Sequence, residues 1–432
     1  MKYYLAIDLG ASSGRHIVGY EQNGKIRLNE VYRFKTGMKE SPDGLVWDIP
    51  LLLKEIIWGI KLAFKHYPNI ESLSVDTWGV DYVLMNGDKE IPPYYAYRNI
   101  RNERASVLVH DILPFEELYK HTGIQFAPFN TIYQLYDDKI KGRLDHATDY
   151  LMLPSYFIYK LTGIKTHEYT EESTTGLLNP NTNDYDYEII DKLELPRALF
   201  NNIKQPGYVV GDLLPEIQNK VGGNCKVVLC ASHDTGSAFE SIDVPDKSVI
   251  LSSGTWSLLG IKSNKPIVTE ESLKANYTNE GGAGYIRFLK NIMGMWIVNK
   301  TREETTLTFS FIDKNIESVD YKVTFDVNDQ SLLAPTSMKE AILNLLKRCP
   351  PQNDLELFDS IFHSLAVSYR NAIEELEKIT SQKCESIYII GGGANNKYLN
   401  KLVEKETGKK VVALPIEATA LGNIKLQMKE GK

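Results

Sequence analysis

The chain has 432 residues, 43% of them apolar, with a net charge of −7 and a pI of about 5.7. That length exceeds what a single hydrophobic core usually supports, so two domains are expected. The acidic balance argues against a nucleic-acid or anionic-membrane surface, which needs a basic field.

Cys225, Cys230, Cys349 and Cys384 form no CxxC pair and show no regular spacing, which points to free thiols in a reducing, cytoplasmic setting rather than a disulfide or zinc framework. No signal peptide or membrane span is expected. Residues 2–9 run from a lysine straight into a short strand containing Asp8, and no apolar stretch approaches the roughly 18 residues a span requires.

In chain order, Tyr4 to Tyr20 reads as a tight β-hairpin: an apolar run ending in Asp8, a turn with Gly10 and Gly14 around Ser12 and Ser13, then a second, β-branched run. Its tip suits phosphate. The glycines let backbone approach a ligand, successive N–H groups and the two hydroxyls donate to anionic oxygens, and Arg15 adds a charged fork. Asp8 suits a hydrated Mg²⁺, which takes only one or two carboxylates. An ordinary hairpin with a Gly/Ser turn accounts for the same residues equally well.

Lys25 to Phe34 reads as a further strand, and Trp47-Asp48-Ile49-Pro50 opens a helix with Leu53, Ile56, Ile57, Ile60 and Phe64 at helical spacing. Ile70 to Met85 reads as strand, polar break, strand. The break holds Asp76, Trp78, Gly79 and Asp81 beyond a strand's carboxyl end, where open α/β sheets place their ligands. Two carboxylates flanking an indole suit a polyol, with acceptors for hydroxyls and a ring for the C–H face; a loop of solvated aspartates is the plainer account. Residues 92–180 are rich in aromatics and amides, compatible with a small-molecule cleft or with ordinary packing. Residues 181–224 are polar and loop-rich and carry little signal.

Lys226 to Cys230 reads as a strand leading to His233, Asp234 and Thr235 and a small-residue helix. Asp234 there suits a general base acting on a hydroxyl, and equally a helix N-cap. Val249 to Ile261 repeats the opening pattern of strand, Gly/hydroxyl turn and strand without the carboxylate, which suggests a duplication. A long amphipathic helix is expected over Phe358 to Ile379, then a strand at Ser386 to Ile390. Gly391-Gly392-Gly393 follows, where a flat ring system can lie on bare backbone. A strand at Val411 to Leu414 and a helix from about Glu417 follow. GxxxxGK[ST], strand-associated GxGxxG and HExxH are absent, and the eight histidines form no metal-ligand cluster.

Together, Asp8 to Arg15, Gly254-Thr255-Trp256 and Gly391-Gly392-Gly393 resemble the phosphate-1, phosphate-2 and adenosine segments of the actin-like ATPase superfamily. Asp76 to Asp81, Gly123 to Phe126, Pro128 to Thr131, Ala231 to Thr235, Ser252 to Leu258, Thr278 to Gly282, Leu289 to Gly294, Glu417-Ala418 and Leu421 to Ile424 extend the resemblance to the FGGY carbohydrate kinases across nearly the whole chain. The resemblance implies an α/β protein of two ribonuclease-H-like domains closing on a cleft: residues 1–242 for sugar and phosphate-1, residues 243–432 for ATP. It implies phosphoryl transfer from Mg-ATP to the 1-hydroxyl of a ketose, L-rhamnulose ahead of L-fuculose, D-xylulose, D-ribulose or glycerol.

By the same resemblance Asp234 is the catalytic base, with Trp78, Gly79, Asp81, His233 and Thr235 at the sugar. Ala11, Ser12, Ser13, Gly14 and Arg15 hold the terminal phosphates and Asp8 the Mg²⁺. Thr255, Asn291, Asn299, Gly392 and Gly393 belong to the nucleotide site. The sequence departs from the family pattern at Asn299, often glutamine, and at Asn99 and Ser155, usually aspartates. The expected partner is a small-molecule sugar, with no nucleic acid or membrane, and the expected state a monomer or small homo-oligomer. A non-enzymatic ATP-binding module would have no need of Asp234 or of the pair Asp76 and Asp81, and a glycosidase using that pair would leave the phosphate hairpins unexplained.

Overall fold

A computed structural model describes residues 1–333, 335–414 and 417–430. By packing, the chain forms two compact units: Met1–Ile242 with Lys262–Phe288 and Ala418–Lys432, and Asp243–Ile261 with Leu289–Glu417. The sequence draws one break, after residue 242. Packing adds two later segments to the first unit, each tied to it by the side chains described below.

The first unit is built on a six-stranded sheet. Its strands are β1 (Tyr3–Leu9), β2 (Ser13–Gln22), β3 (Lys25–Lys35), β4 (Ile70–Thr77), β5 (Val209–Asp212) and β6 (Lys226–Val228), in the order β5-β6-β4-β1-β2-β3. β1 and β2 form the expected antiparallel hairpin, and β4 runs parallel to both β1 and β6. Helix α1 (Ile49–His66) starts where Asp48 accepts the Leu51 N–H at 3.0 Å, with Pro50 in the first turn, where its missing N–H costs nothing. It buries Leu52, Ile56, Ile60, Ala63 and Phe64 against Leu5, Ile7, Val18, Leu73 and Val75 of the sheet. Each Leu, Ile, Val or Phe among them taken out of water contributes ~1.5–3 kcal/mol.

On the other face, Ala420 and Ile424 of the C-terminal helix Ala418–Glu430 cover Tyr4, Ala6 and Ile17. Gly19 makes room: a Cβ there would lie 2.5 Å from Ile424 Cδ1. The long insert between β4 and β5 has its own core around Tyr82, Leu84, Tyr133, Tyr150 and Ile190. The segment 181–224, which carries little sequence signal, supplies the edge strand β5 and the helices Tyr187–Lys192 and Pro215–Val221. β6 stops at Val228, two residues before the expected end, and helix α2 (Asp234–Glu240) follows.

The second unit repeats this wiring. β7 (Ser248–Ser253) and β8 (Trp256–Ser263) form an antiparallel hairpin, and β7 runs parallel to β9 (Ser386–Ile390), which runs parallel to β10 (Lys410–Leu414). Helix α3 (Asp354–Thr380), capped by Asn353 accepting the Glu356 N–H, buries Phe358, Ile361, Leu365, Tyr369, Ile373 and Leu376 at helical spacing. Among the described residues no helix is long and apolar enough to cross a membrane.

Candidate active site

In the first unit the chemistry gathers at the carboxyl ends of β1 and β4. Asp8 faces Arg15 across the hairpin, and the guanidinium donates to its carboxylate. The turn is closed by Gly10 N–H donating to Ser13 O at 2.9 Å and by Thr36 Oγ donating to Gly10 O at 2.6 Å. Ala11 and Ser13 are half-buried and Ser12 is exposed. Gly14 proves to have a packing reason, since a Cβ there would sit 2.3 Å from the Phe34 ring.

Asp8 is also in parallel register with Asp76. Asp76 is completely buried; one oxygen accepts Asn423 Nδ2 at 2.5 Å, and the other has no hydrogen-bond partner. Burial, then the charge of Asp8, pushes its carboxyl far above the usual carboxylate range, with Asp234 adding to the effect. The C-terminal helix fixes this corner. Gln427 donates to Asn423 Oδ1 at 2.7 Å and to Leu5 O at 3.1 Å, and accepts Ser72 Oγ at 2.6 Å. Gly422 lets the helix pass α2, because a Cβ there would lie 1.7 Å from Ser237 O.

β4 continues into the loop before α2 through Thr77, whose N–H donates to Ser232 O at 2.9 Å and which bridges in parallel to His233. Asp234 is the first residue of α2, so it is not the N-cap; that position falls to His233. Its carboxylate accepts Thr235 Oγ at 3.1 Å, lies 3.6 Å from His233 Nε2, and is 31% exposed, against 4% for Asp8. Gly79 lies beside the same imidazole: a Cβ built on it would be 3.4 Å from His233 Nε2 and 3.2 Å from Thr174 Oγ. Val80, at φ 70°, holds a backbone conformation that a β-branched residue rarely adopts. Its carbonyl is secured by Thr131 Oγ at 2.8 Å and Gln134 Nε2 at 3.1 Å.

Asp81, expected to meet sugar hydroxyls, is instead buried and engaged by the protein itself. It accepts Trp47 Nε1 at 2.6 Å, Trp78 Nε1 at 2.9 Å, Gln134 Nε2 at 3.2 Å and Tyr97 N at 3.2 Å. Burial still raises its carboxyl to about 6. Its work is to pin two indoles whose centroids lie 4.2 Å apart, so Trp78 is buried too.

In the second unit Gly254 N–H donates to Trp256 O at 2.9 Å, closing the β7–β8 turn, and the Met295 and Trp296 N–H groups donate to Gly254 O at 2.9 Å and Thr255 O at 3.2 Å. Gly391 has φ +83°, and a Cβ on Gly393 would lie 1.9 Å from Ser253 Oγ, so the glycine run packs directly on the end of β7. Gly392 is exposed, with nothing within 4 Å of a Cβ position. Thr255 is half-buried, and so is Asn291, whose Oδ1 has no hydrogen-bond partner. Asn299 is exposed on the helix Met295–Glu303.

A divalent cation fits the donor set of the first unit. Asp8 and Asp76 stand in register, Asp234 adds its charge, and the unpartnered oxygen of Asp76 gains a ligand when a cation is present. Asp76's part there and Asn423's bond to it were not assigned from sequence, nor were the contacts that Glu280 and Arg287 make with His233. Asn423 and Glu280 fall in stretches that carry the family resemblance. For Arg287 the available signal was a charged residue inside the otherwise apolar run Ile286–Leu289.

Comparison with known proteins identifies the family and the fold. Residues 3–239 match the N-terminal domain, and residues 249–430 the C-terminal domain, of the FGGY family of carbohydrate kinases. A rhamnulokinase of Oceanobacillus iheyensis is 41% identical over 433 residues, covering 98% of this chain and 92% of the relative. A rhamnulokinase of Bacillus subtilis is 38% identical over 440 residues, covering 98% and 90%. Among solved structures, gluconate kinase from Lactobacillus acidophilus superposes with a TM-score of 0.83 at 18% identity, covering 99% of this chain and 89% of that one. Plasmodium falciparum glycerol kinase with ADP superposes with a TM-score of 0.78 at 14% identity, covering 100% and 90%. The two units have the actin-like ATPase fold, and the chain belongs to the FGGY family of carbohydrate kinases, ATP-dependent sugar phosphotransferases.

Proposed function

We propose that this kinase transfers the terminal phosphoryl group of ATP to the 1-hydroxyl of L-rhamnulose, with Asp234 as general base. The observation that carries the assignment of the base is the contrast among three carboxylates: Asp8 is ion-paired, Asp76 is sealed, and Asp234 is partly open beside His233 and Gly79. The choice of sugar follows the rhamnulokinases at 38–41% identity over nearly the whole chain.

Phosphoryl transfer passes through a loose transition state with charge spread over the phosphate oxygens, so the protein mainly positions reactants and stabilises charge. Asp234 orients the alcohol and accepts its proton as the bond to phosphorus forms, a contribution of ~10²–10⁴-fold. Ser12 and Ser13 and the N–H groups of the hairpin turn donate to phosphate oxygens, and Arg15, anchored on Asp8, adds positive charge. In the second unit Thr255, Asn291 and the glycine run receive the nucleotide, with Asn299 at its rim. Asp8 and Asp76 would hold Mg²⁺, which would neutralise phosphate charge. A reducing, cytoplasmic setting suits the three buried free thiols Cys225, Cys230 and Cys384.

The test is ADP release from Mg-ATP with L-rhamnulose, L-fuculose, D-xylulose, D-ribulose and glycerol, and with no sugar. Preference for L-rhamnulose with low background is the expected result. Turnover on another sugar alone replaces the substrate, and sugar-independent ADP release overturns the reading.

A further inference from the structure

Behind His233 lies a buried charged pair that none of the steps above uses. Arg287, on the strand Ile286–Met293, has no exposed surface. Its Nε donates to Gly281 O at 2.7 Å, its Nη1 lies 3.2 Å from Glu280 Oε2, and its Nη2 lies 3.2 Å from His233 Nδ1. The guanidinium lies against Gly236 of α2, 3.6 Å from where a Cβ would stand.

A guanidinium is charged at every working pH and has donors but no acceptor. The contact between Nη2 and Nδ1 is therefore a hydrogen bond only when Nδ1 carries a lone pair, which places the ring proton on Nε2. Nε2 is the atom that lies 3.6 Å from Asp234 Oδ1 and beside Gly79. Glu280 Oε2, 3.3 Å from the same Nδ1, makes the opposite demand. The two demands are unequal. A proton on Nδ1 would set donor against donor beside a guanidinium with no exposed surface, whereas Glu280 already has Arg287 as its main counter-charge, which together with His233 holds its carboxyl below the usual range in spite of burial.

We propose that Arg287 is a positioning residue that fixes the tautomer of His233, so that Nε2–H is presented towards Asp234 and the sugar, with Glu280 as the counter-charge that allows Arg287 to be buried. This deepens, and rests on, the reading of His233 and Asp234 as the sugar-side pair. The charged and titratable neighbours are Asp234 on the same segment, Glu280 and Arg287 on the 278–288 segment, and Tyr169 and Glu171 on the helix Tyr169–Glu172, whose groups feel Arg287 and Asp234 respectively.

The experiment is nitrogen-15 histidine NMR on the full chain, with the His233 signals identified by their loss in His233→Gln. The neutral His233 ring of the wild type is expected to show the Nε2–H tautomer. Glu280→Gln is expected to keep that tautomer. Arg287→Gln/Glu280→Gln, which removes both buried charges together, is expected to show mixed tautomers and a kcat lowered about 10–100-fold, with the KM for ATP unchanged. A wild-type Nδ1–H signal overturns the proposal, and so does a double variant that keeps the wild-type tautomer and kcat. If neither variant folds, the wild type alone still decides, because an Nδ1–H form there overturns the proposal. Unchanged turnover in Asp234→Asn would sink the base assignment and leave the tautomer measurement standing, so the two failures are distinguishable.

Discussion

β1 and β2 turn back on each other at Gly10, and β7 and β8 at Gly254; in both hairpins the first strand runs on in parallel with a later one, β4 or β9. At the same register position the first pair places Asp8 against Asp76, while the second places Ser252 against Ile390. One unit thus ends its strands in carboxylates, and the other in hydroxyls and a glycine run. The alternation of apolar residues that decides which strands pair is indifferent to the last one or two residues of each strand and those just after it, and these decide the chemistry.

The contrast is broken most directly at Asp234. Asp234→Asn is expected to lower kcat by ~10²–10⁴-fold with ATP and sugar binding nearly unchanged, measured by steady-state ADP release and equilibrium binding. In the other unit, Gly393→Val puts side-chain atoms where Ser253 Oγ already lies. It is expected to weaken nucleotide binding by about tenfold or more, read by ATP titration, while a sugar titration stays unchanged. Asp76→Asn removes a carboxyl whose ionisation is opposed by burial and by Asp8. It is expected to stabilise the metal-free protein by about 1–2 kcal/mol in denaturant unfolding and to reduce its stabilisation by added Mg²⁺.

The same unit predicts a pH response. Burial holds the His16 imidazole down at about 4, its Nε2 3.0 Å from Ile56 O. The folded state therefore binds fewer protons than the unfolded one below pH 6.5. This contribution is fully present above 6.5 and is lost as pH falls through about 4. Asp81, at about 6, and Glu168, at about 7, act with the opposite sign: their contribution is present below the ordinary carboxylate range and is lost as pH rises through those values. The comparison between wild type and His16→Gln isolates the first group. The variant is expected to lose less stability than the wild type between pH 7 and pH 4.5, by about 2–3 kcal/mol.

Both hairpins, α1, α3 and the glycine run were legible in sequence because each carries its own signal: a period, a cap, or a turn residue between apolar runs. β5 was not, since four residues ending in Gly-Asp at a sheet edge differ little from a loop. Asp81 was legible as important, but its bonds to two indoles were not. Its indole partners Trp47 and Trp78 lie on different segments, and sequence does not show that the same oxygen accepts from both. Arg287 and His233 are 54 residues apart, and only the fold makes them neighbours.

The C-terminal helix has a consequence for synthesis. Gln427 bonds to the carbonyl of Leu5 across 422 residues of chain, and Ile424 covers strands that leave the ribosome long before the helix does. Until the helix arrives, one face of that sheet lies bare and Asp76 lacks its amide partner. The first unit therefore finishes folding only after the whole second unit has been translated, and the nascent chain carries an exposed apolar sheet face that a chaperone can recognise for most of its time on the ribosome.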